Sequence, residues 1–294
     1  MPSRPPVIMI TPAHNEADHI GALVASVAAQ TLQPEVWFVV DDASTDTTTE
    51  TARTAAAACG IDQFVLVRRE REDGRSFGAK ARAVAAGWDV AREHPGDIVA
   101  IVDADVVLPD DYLETVAARF AADPTLGVTG GVYAHPVGSR VLLEVPPIHH
   151  VPGPTQTFRR EVWEAIGGYR TLPNGGIDTA ANIDARRAGW STRCIPELVV
   201  QHSRRMGTGG GVRPVVAEFR KGRQDHDLAN HPLFELGKLA RRTVKPPYVV
   251  GALARLMGYG WAGLRRQRPV SDAFAAFVRA EQSARIRGYV TGGR

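Results

Sequence analysis

Apolar runs that stop abruptly at polar or acidic side chains, each followed by a helix-compatible stretch, constrain this chain more than any other feature. Val7 to Ile10 ends at Thr11 and Pro12, and Ile20 to Ala29 then reads as a helix before Pro34. Val36 to Val40 closes on Asp41 and Asp42, followed by an alanine-rich helix from Thr47 to Ala58 that ends at Gly60. Phe64 to Val67, the helix Ala79 to Ala91 and the run Ile98 to Val102, which leads directly into Asp103, repeat the unit. Strands alternating with helices predict an α/β fold with a mainly parallel, doubly covered sheet. Ligands of such sheets bind beyond the carboxyl ends of the strands, so the polar loops named here are expected to converge.

After Val128 to Tyr133 the pattern loosens. The stretch His135 to Pro154 reads as a long functional loop, Glu161 to Ile166 and Thr179 to Ala188 as helices each closed by glycine, and Leu198 to Gln201 as a last short strand. Charge then divides the chain: residues 1–200 hold 17 Lys and Arg against 26 Asp and Glu, whereas residues 201–294 hold 18 against 6. A basic extension from 206 to 294 therefore follows a body from 1 to 205. Such an extension suits phosphates, nucleic acid or anionic lipid, and the acidic body suits a cation. Nucleic acid is excluded as a partner because no recognition motif accompanies the charge. The two cysteines, Cys59 and Cys194, stand in no disulfide or metal-binding pattern, and the N-terminal apolar run is too short for a secretion signal. Both features lead to the expectation of a cytoplasmic protein.

The segment Asp103-Ala104-Asp105 delivers two carboxylates to a strand end, as Mg²⁺ or Mn²⁺ sites require, although a solvated turn has the same composition. Pro12-Ala13-His14-Asn15-Glu16 ends the first strand and Asp41 to Asp46 the second. Their amide and acidic side chains can read base edges and ribose hydroxyls. Asp46 is assigned mainly to capping the next helix, and Ser44 could serve similarly.

With these loops in this order, the sequence from Val7 to Gln201 resembles the inverting family-two glycosyltransferases with a GT-A fold. The resemblance implies a nucleotide-sugar half at 1–106, contacting the donor through Pro12, Ala13, Asn15, Glu16, Asp42, Lys80, Asp103 and Ala104, and an acceptor half at 107–205. Lys80 follows Gly78 with one residue inserted relative to the family's Gly-Lys pair; it is a phosphate contact, with Arg75 nearby, or a solvated helix start. Phe158 to Tyr169 matches the segment between metal site and base. By resemblance Asp178 is the general base, with Ile177 in place of the family's Glu; a capping role for a helix starting at Thr179 is the competing reading. The metal set implied is Asp103, Asp105 and His202, the last being otherwise structural. His149 and His150 lie where an acceptor could touch them.

Arg220-Lys221-Gly222-Arg223 resembles a basic segment that lies beyond the catalytic core in exopolysaccharide-type relatives; it could close over the donor diphosphate, with a solvated helix surface as the competing reading. The glycines at 207, 209, 210 and 211 read as a loop rather than a phosphate cradle. Tyr248 to Leu264 is apolar but broken by Arg255 and glycines, and shorter than the ~20 residues of a membrane span. Flanked by Arg241, Arg242, Lys245, Arg265, Arg266 and Arg268, it either lies at an anionic membrane surface, here the inner face, or packs on the catalytic domain. The implied reaction moves a sugar from a nucleotide-diphosphate-sugar to a glycan, lipid-linked or small-molecule hydroxyl. A nucleotidyltransferase, which would need a glycine-rich loop where Pro12 to Glu16 stands, and a catalytically silent sugar-nucleotide or glycan-binding protein, suggested by Ile177, are the alternatives.

Overall fold

In the computed structural model, residues 5–70, 78–137, 140–203, 214–244, 246–265 and 268–290 are described. Arg75, the four glycines between 207 and 211, Lys245 and Arg266 lie outside them. The chain divides into one unit of Met1–Thr171 with Ile177–Arg205 and a second of Leu172–Gly176 with Met206–Arg294.

The first unit grows from strands that are apolar on both faces because helices cover both. β1 (Val7–Ala13), β2 (Val36–Asp42), β3 (Phe64–Arg69) and β4 (Ile98–Val102) pair in parallel in the order β3-β2-β1-β4. The helices α1 (Ile20–Ala28), α2 (Thr48–Ala58) and α3 (Ala79–Ala91) connect them. Ile8, Met9, Ile10, Phe38, Val39 and Ile101 are wholly buried. The β1–β2 register sets Ala13 beside Asp41, so both strands deliver their polar ends at one edge.

Beyond β4 the sheet becomes mixed. β5 (Val106–Val107), α4 (Tyr112–Ala122), β6 (Leu126–Val137), β7 (Arg140–Glu144), β8 (Thr155–Arg159), α5 (Arg160–Ile166), α6 (Ile177–Arg187) and β9 (Ser191–His202) continue the unit. The sheet order is completed as β4-β8-β6-β9-β5, with β7 on β6.

Three segments differ from the sequence expectation. The stretch from His135 is not all loop: β6 runs on to Val137 and returns antiparallel as β7, whose Val141, Leu142 and Leu143 face solvent and so lack the inward apolar signal of a strand. β9 is three times longer than expected, because pairing with β6 jumps from Gly131↔Ile195 to Val132↔Val199, and the bulge holds Pro196, which cannot donate to the ladder. Helix α6 starts at Ile177, not Thr179, so Asp178 sits inside its first turn and not at the cap.

The second unit carries α7 (Pro214–Asp227), α8 (Pro232–Arg242), α9 (Tyr248–Leu264) and α10 (Asp272–Val290). Its interior is partly ionic. Lys238 bridges Asp225 and Glu235 at 2.7 and 2.8 Å, Arg255 reaches Asp225 at 2.6 Å, and Arg242 reaches Glu218 at 3.1 Å. Asn230 adds donors to Asp225 Oδ1 and Glu235 Oε1, the oxygens that Lys238 also reaches, so amide and ammonium share the same two carboxylates. Of the basic segment in α7, Gly222 is buried and Lys221 pairs with Glu218 at 3.6 Å. No helix among the described residues is long and apolar enough to cross a membrane.

Candidate active site

Strand β4 carries its backbone straight to Asp103, whose N–H donates to the Pro154 carbonyl at 2.9 Å. Two residues on, β5 pairs Val106 with His202 and so brings the end of β9 beside Asp105. Ser203 fixes that junction, donating to the Asp105 carbonyl from both N–H and Oγ at 2.9 Å. The side chains of Asp103, Asp105 and His202 consequently offer ligand atoms that all lie within 4.8 Å of one another. Asp105 and His202 are buried, with 3.6 Å between Oδ1 and Nε2. Burial pushes the Asp103 carboxyl up; Lys80 opposes this and the Asp105 charge adds to it. Two hard oxygen donors and one imidazole fit a divalent cation of the Mn²⁺ or Mg²⁺ kind.

Lys80, in the first turn of α3, ends between one of these groups and the loop before β8: its Nζ lies 2.5 Å from Asp103 Oδ1 and donates to the Gly153 carbonyl at 3.0 Å. The ammonium is therefore held at the cluster rather than solvated at a helix start.

The ends of β1 and β2 form a stitched pair of loops next to β4. Asn15 occupies the left-handed region at φ 56°, a conformation Asn tolerates, and its N–H donates to Ser44 Oγ while its Oδ1 accepts from the Thr45 N–H. Glu16 N–H donates to Thr48 Oγ1, and the His14 ring donates from Nδ1 to the Asp42 carbonyl. Asp41 is consumed internally by the Ser44 N–H and the Thr49 hydroxyl, whereas Asp42 is ion-paired with Arg69. Pro12 pairs with Val40 in the ladder, and Ala104 is buried in the core. Asp46 accepts from the N–H groups of Thr48 and Ala17, and although burial raises its carboxyl these bonds hold it below the usual range. It thus serves the start of α2, one residue before the cap position at Thr47.

Asp178 stands across the Gly153–Pro154 segment from the acidic cluster. Its Oδ2 lies 3.8 Å from His150 Nε2, and a methyl on Gly153 would meet its Cβ at 3.2 Å. Its carbonyl accepts from Gln156 Nε2 and Asn182 Nδ2, both at 3.0 Å. Gln156 is itself gripped by the Tyr169 hydroxyl at 2.8 Å and donates to the Val151 carbonyl. Burial lowers the His150 imidazole below its usual value despite the neighbouring Asp178, favouring a neutral ring beside the carboxylate. Burial raises the Tyr169 phenol well above its ordinary value, and the charges of Asp103 and Asp178 add to this. His149, by contrast, is exposed, and its carbonyl accepts from Thr192 Oγ1 and Arg186 Nη1.

The structure thus brings Asp103, Asp105, His202 and Lys80 into one cluster, Asp178 and His150 into a second, and Pro12 to Glu16 with Asp42 into a third. Gln156, Tyr169 and Ser203 were not singled out by sequence. An amide in the middle of a wholly buried strand, Thr155-Gln156-Thr157, is the signal that could have found the first.

Residues 8–176 match the sequence profile described as Glycosyl transferase family 2. Among curated proteins, the chain is similar to the beta-monoglucosyldiacylglycerol synthase of a Synechocystis species, 33% identical over 127 residues that make up 42% of this chain and 24% of that protein. It is also similar to an N-acetylglucosaminyltransferase of Azorhizobium caulinodans, 30% identical over 136 residues, 46% of this chain and 32% of that one. The matched regions span about a quarter to a third of these relatives. Among solved structures, a mannosyltransferase of Pyrobaculum calidifontis in complex with GDP-Man and Mn²⁺ superposes with a TM-score of 0.58 at 22% identity, covering 99% of this chain and 84% of that one. S. aureus TarS in complex with UDP-GlcNAc gives 0.51 at 18% identity, over 75% and 65%. These likenesses make the fold one of the GT-A type.

Proposed function

Because the chain belongs to glycosyl transferase family 2, we propose that it moves a sugar from a nucleoside-diphosphate-sugar to an acceptor hydroxyl, with inversion. The observation that carries this reading is the pairing of a cation-ready cluster, Asp103, Asp105 and His202, with a separate half-exposed carboxylate at Asp178. In this scheme Asp103, Asp105 and His202 would hold a divalent cation, which would supply positive charge against the departing diphosphate. Lys80 offers its ammonium to the phosphates. Pro12, Ala13, Asn15, Glu16 and Asp42 line the nucleoside side. Asp178 takes the proton from the acceptor as its oxygen attacks the anomeric carbon in line, with the His150 ring beside the carboxylate. One displacement inverts the centre, so no enzyme nucleophile is used. Related folds carrying GDP-Man and UDP-GlcNAc support a sugar-nucleotide donor. The acceptor is a glycan, a lipid-linked saccharide or a small molecule, met on the cytoplasmic side.

Thermal shift against a panel of sugar nucleotides, with Mn²⁺ and with chelator, tests the reading. One donor should raise the melting temperature only when Mn²⁺ is present, and Asp105→Ala should abolish that response without lowering the melting temperature of the free protein. A Mn²⁺-dependent response that survives in Asp105→Ala would remove the cluster from the donor site.

A further inference from the structure

Helix α9 is built inside out. Its buried positions are small, Gly251, Ala252, Ala254, Gly258 and Ala262, while Val249, Val250, Leu253, Leu256, Met257 and Trp261 face solvent. Exposure of Leu253 is 55%, of Met257 66% and of Leu264 80%, and the exposed positions of the helix carry no charged side chain. The small residues serve close packing on α7: a methyl added at Gly258 would lie 2.0 Å from the Phe219 carbonyl oxygen, and one added at Gly222 would lie 1.9 Å from that of Arg255. The one cation within α9, Arg255, turns inward to Asp225. Folding of the second unit therefore uses the small face and, among the described residues, leaves the large apolar one exposed. On a monomer surface such a contiguous patch marks an interaction site.

The charge around it says which kind. Of the six acidic residues after position 200, Glu218, Asp225, Asp227 and Glu235 are buried, which leaves Asp272 and Glu281 against an excess of Lys and Arg. Arg265 and Arg268, just past the helix, are exposed, and the Arg265 guanidinium lies 5.1 Å from the centre of the Trp261 ring. An indole at the end of an aliphatic stripe, covered by a guanidinium, suits the boundary between acyl chains and headgroups. At 17 residues the helix is about 25 Å long, too short to span a bilayer but long enough to lie in its surface.

We propose that the outward face of α9, from Val249 to Leu264, docks the protein on an anionic lipid bilayer, with Trp261 and Arg265 at the headgroup level. This stands independently of the sugar-transfer reading. Vesicle sedimentation of the full chain tests it, using phosphatidylcholine vesicles with and without phosphatidylglycerol. The parent should pellet with the anionic vesicles, less so at high salt. The double variant Leu253→Ser with Met257→Ser should partition about 10²-fold more weakly, the scale of two large apolar side chains left in water, and melt as the parent does. Leu264→Ser, at the most exposed position, should weaken partitioning in the same direction and guards against a folding artefact in the pair. Parent protein that stays in the supernatant with both vesicles would overturn the proposal, as would variants that pellet equally. A dimer seen by light scattering that the double variant abolishes, without vesicle binding, would assign the face to a second copy and likewise overturn it.

Discussion

Replacing Asp178 by Asn separates binding from chemistry and can be worked through in numbers. The carboxylate sits in the first turn of α6, where an acid contributes about 0.3–1 kcal/mol against the helix dipole. Its contact with His150, at 3.8 Å, is beyond hydrogen-bond length and partly solvated, so it adds well under ~1 kcal/mol. The bonds that fix the residue in place, from Gln156 and Asn182, go to its main-chain carbonyl and survive the substitution. Stability should therefore fall by about 1 kcal/mol or less. Loss of a general base should cost transfer about 10²-fold or more, equivalent to about 2.7 kcal/mol of barrier. Donor affinity should stay at the parental level, because the groups assigned to the donor lie in the other two clusters. Melting temperature, donor affinity by calorimetry and transfer rate at saturating donor, all measured on one preparation, give the three readings. Transfer retained to within about threefold would refute the base assignment, since it would leave Asp178 only a helix-start role.

Two further outcomes concern the second unit. Gly258→Ala should destabilise it by about 1–3 kcal/mol, because the methyl meets the Phe219 carbonyl oxygen, whereas Gly260→Ala, with open space around it, should be neutral or gain up to ~1 kcal/mol; denaturant midpoints of the two variants check the contrast. Burial raises the Glu218 carboxyl, but its bond to Arg242 and the charges of Lys221, Arg242 and Arg255 outweigh this and hold it below its ordinary value of 4.5. Its stabilisation is thus present above that value and lost as pH falls through the lower folded one. Glu218→Gln should flatten the decline of stability below about pH 4.5, and equal slopes in parent and variant would refute the assignment. Asp227 and Glu235, both raised by burial, titrate in the opposite sense in both proteins and cancel in the difference.

The parallel half of the sheet was legible because β1, β2 and β4 are covered on both faces, so Val7 to Ile10, Val36 to Val40 and Ile98 to Val102 stand out as unbroken apolar runs that end where the polar loops begin. The acidic cluster was legible for the same reason, since Asp103 follows its strand without an intervening residue. What escaped was structure whose signal is not periodic. Strand β7 shows its apolar residues to water, and β9 is interrupted at Pro196 by a bulge that depends on the neighbouring strand. The pairing of Lys80 with Asp103 and of His150 with Asp178 joins residues that sequence separates, and only the folded chain brings them together. For α9 the composition was plain, but which face turned outward was not, because glycine and alanine are as compatible with exposure as with a tight crossing.

That crossing has a mechanical consequence. Where side chains separate two helices, a change of rotamer can absorb a small displacement; at Gly222 and Gly258 backbone meets backbone, and no such cushion exists. A load applied to Leu253, Leu256 or Met257 must then be carried along α9 as by a stiff strut. Between those residues Arg255 grips Asp225 of α7, so the strut is tied to the ionic interior at the point of loading.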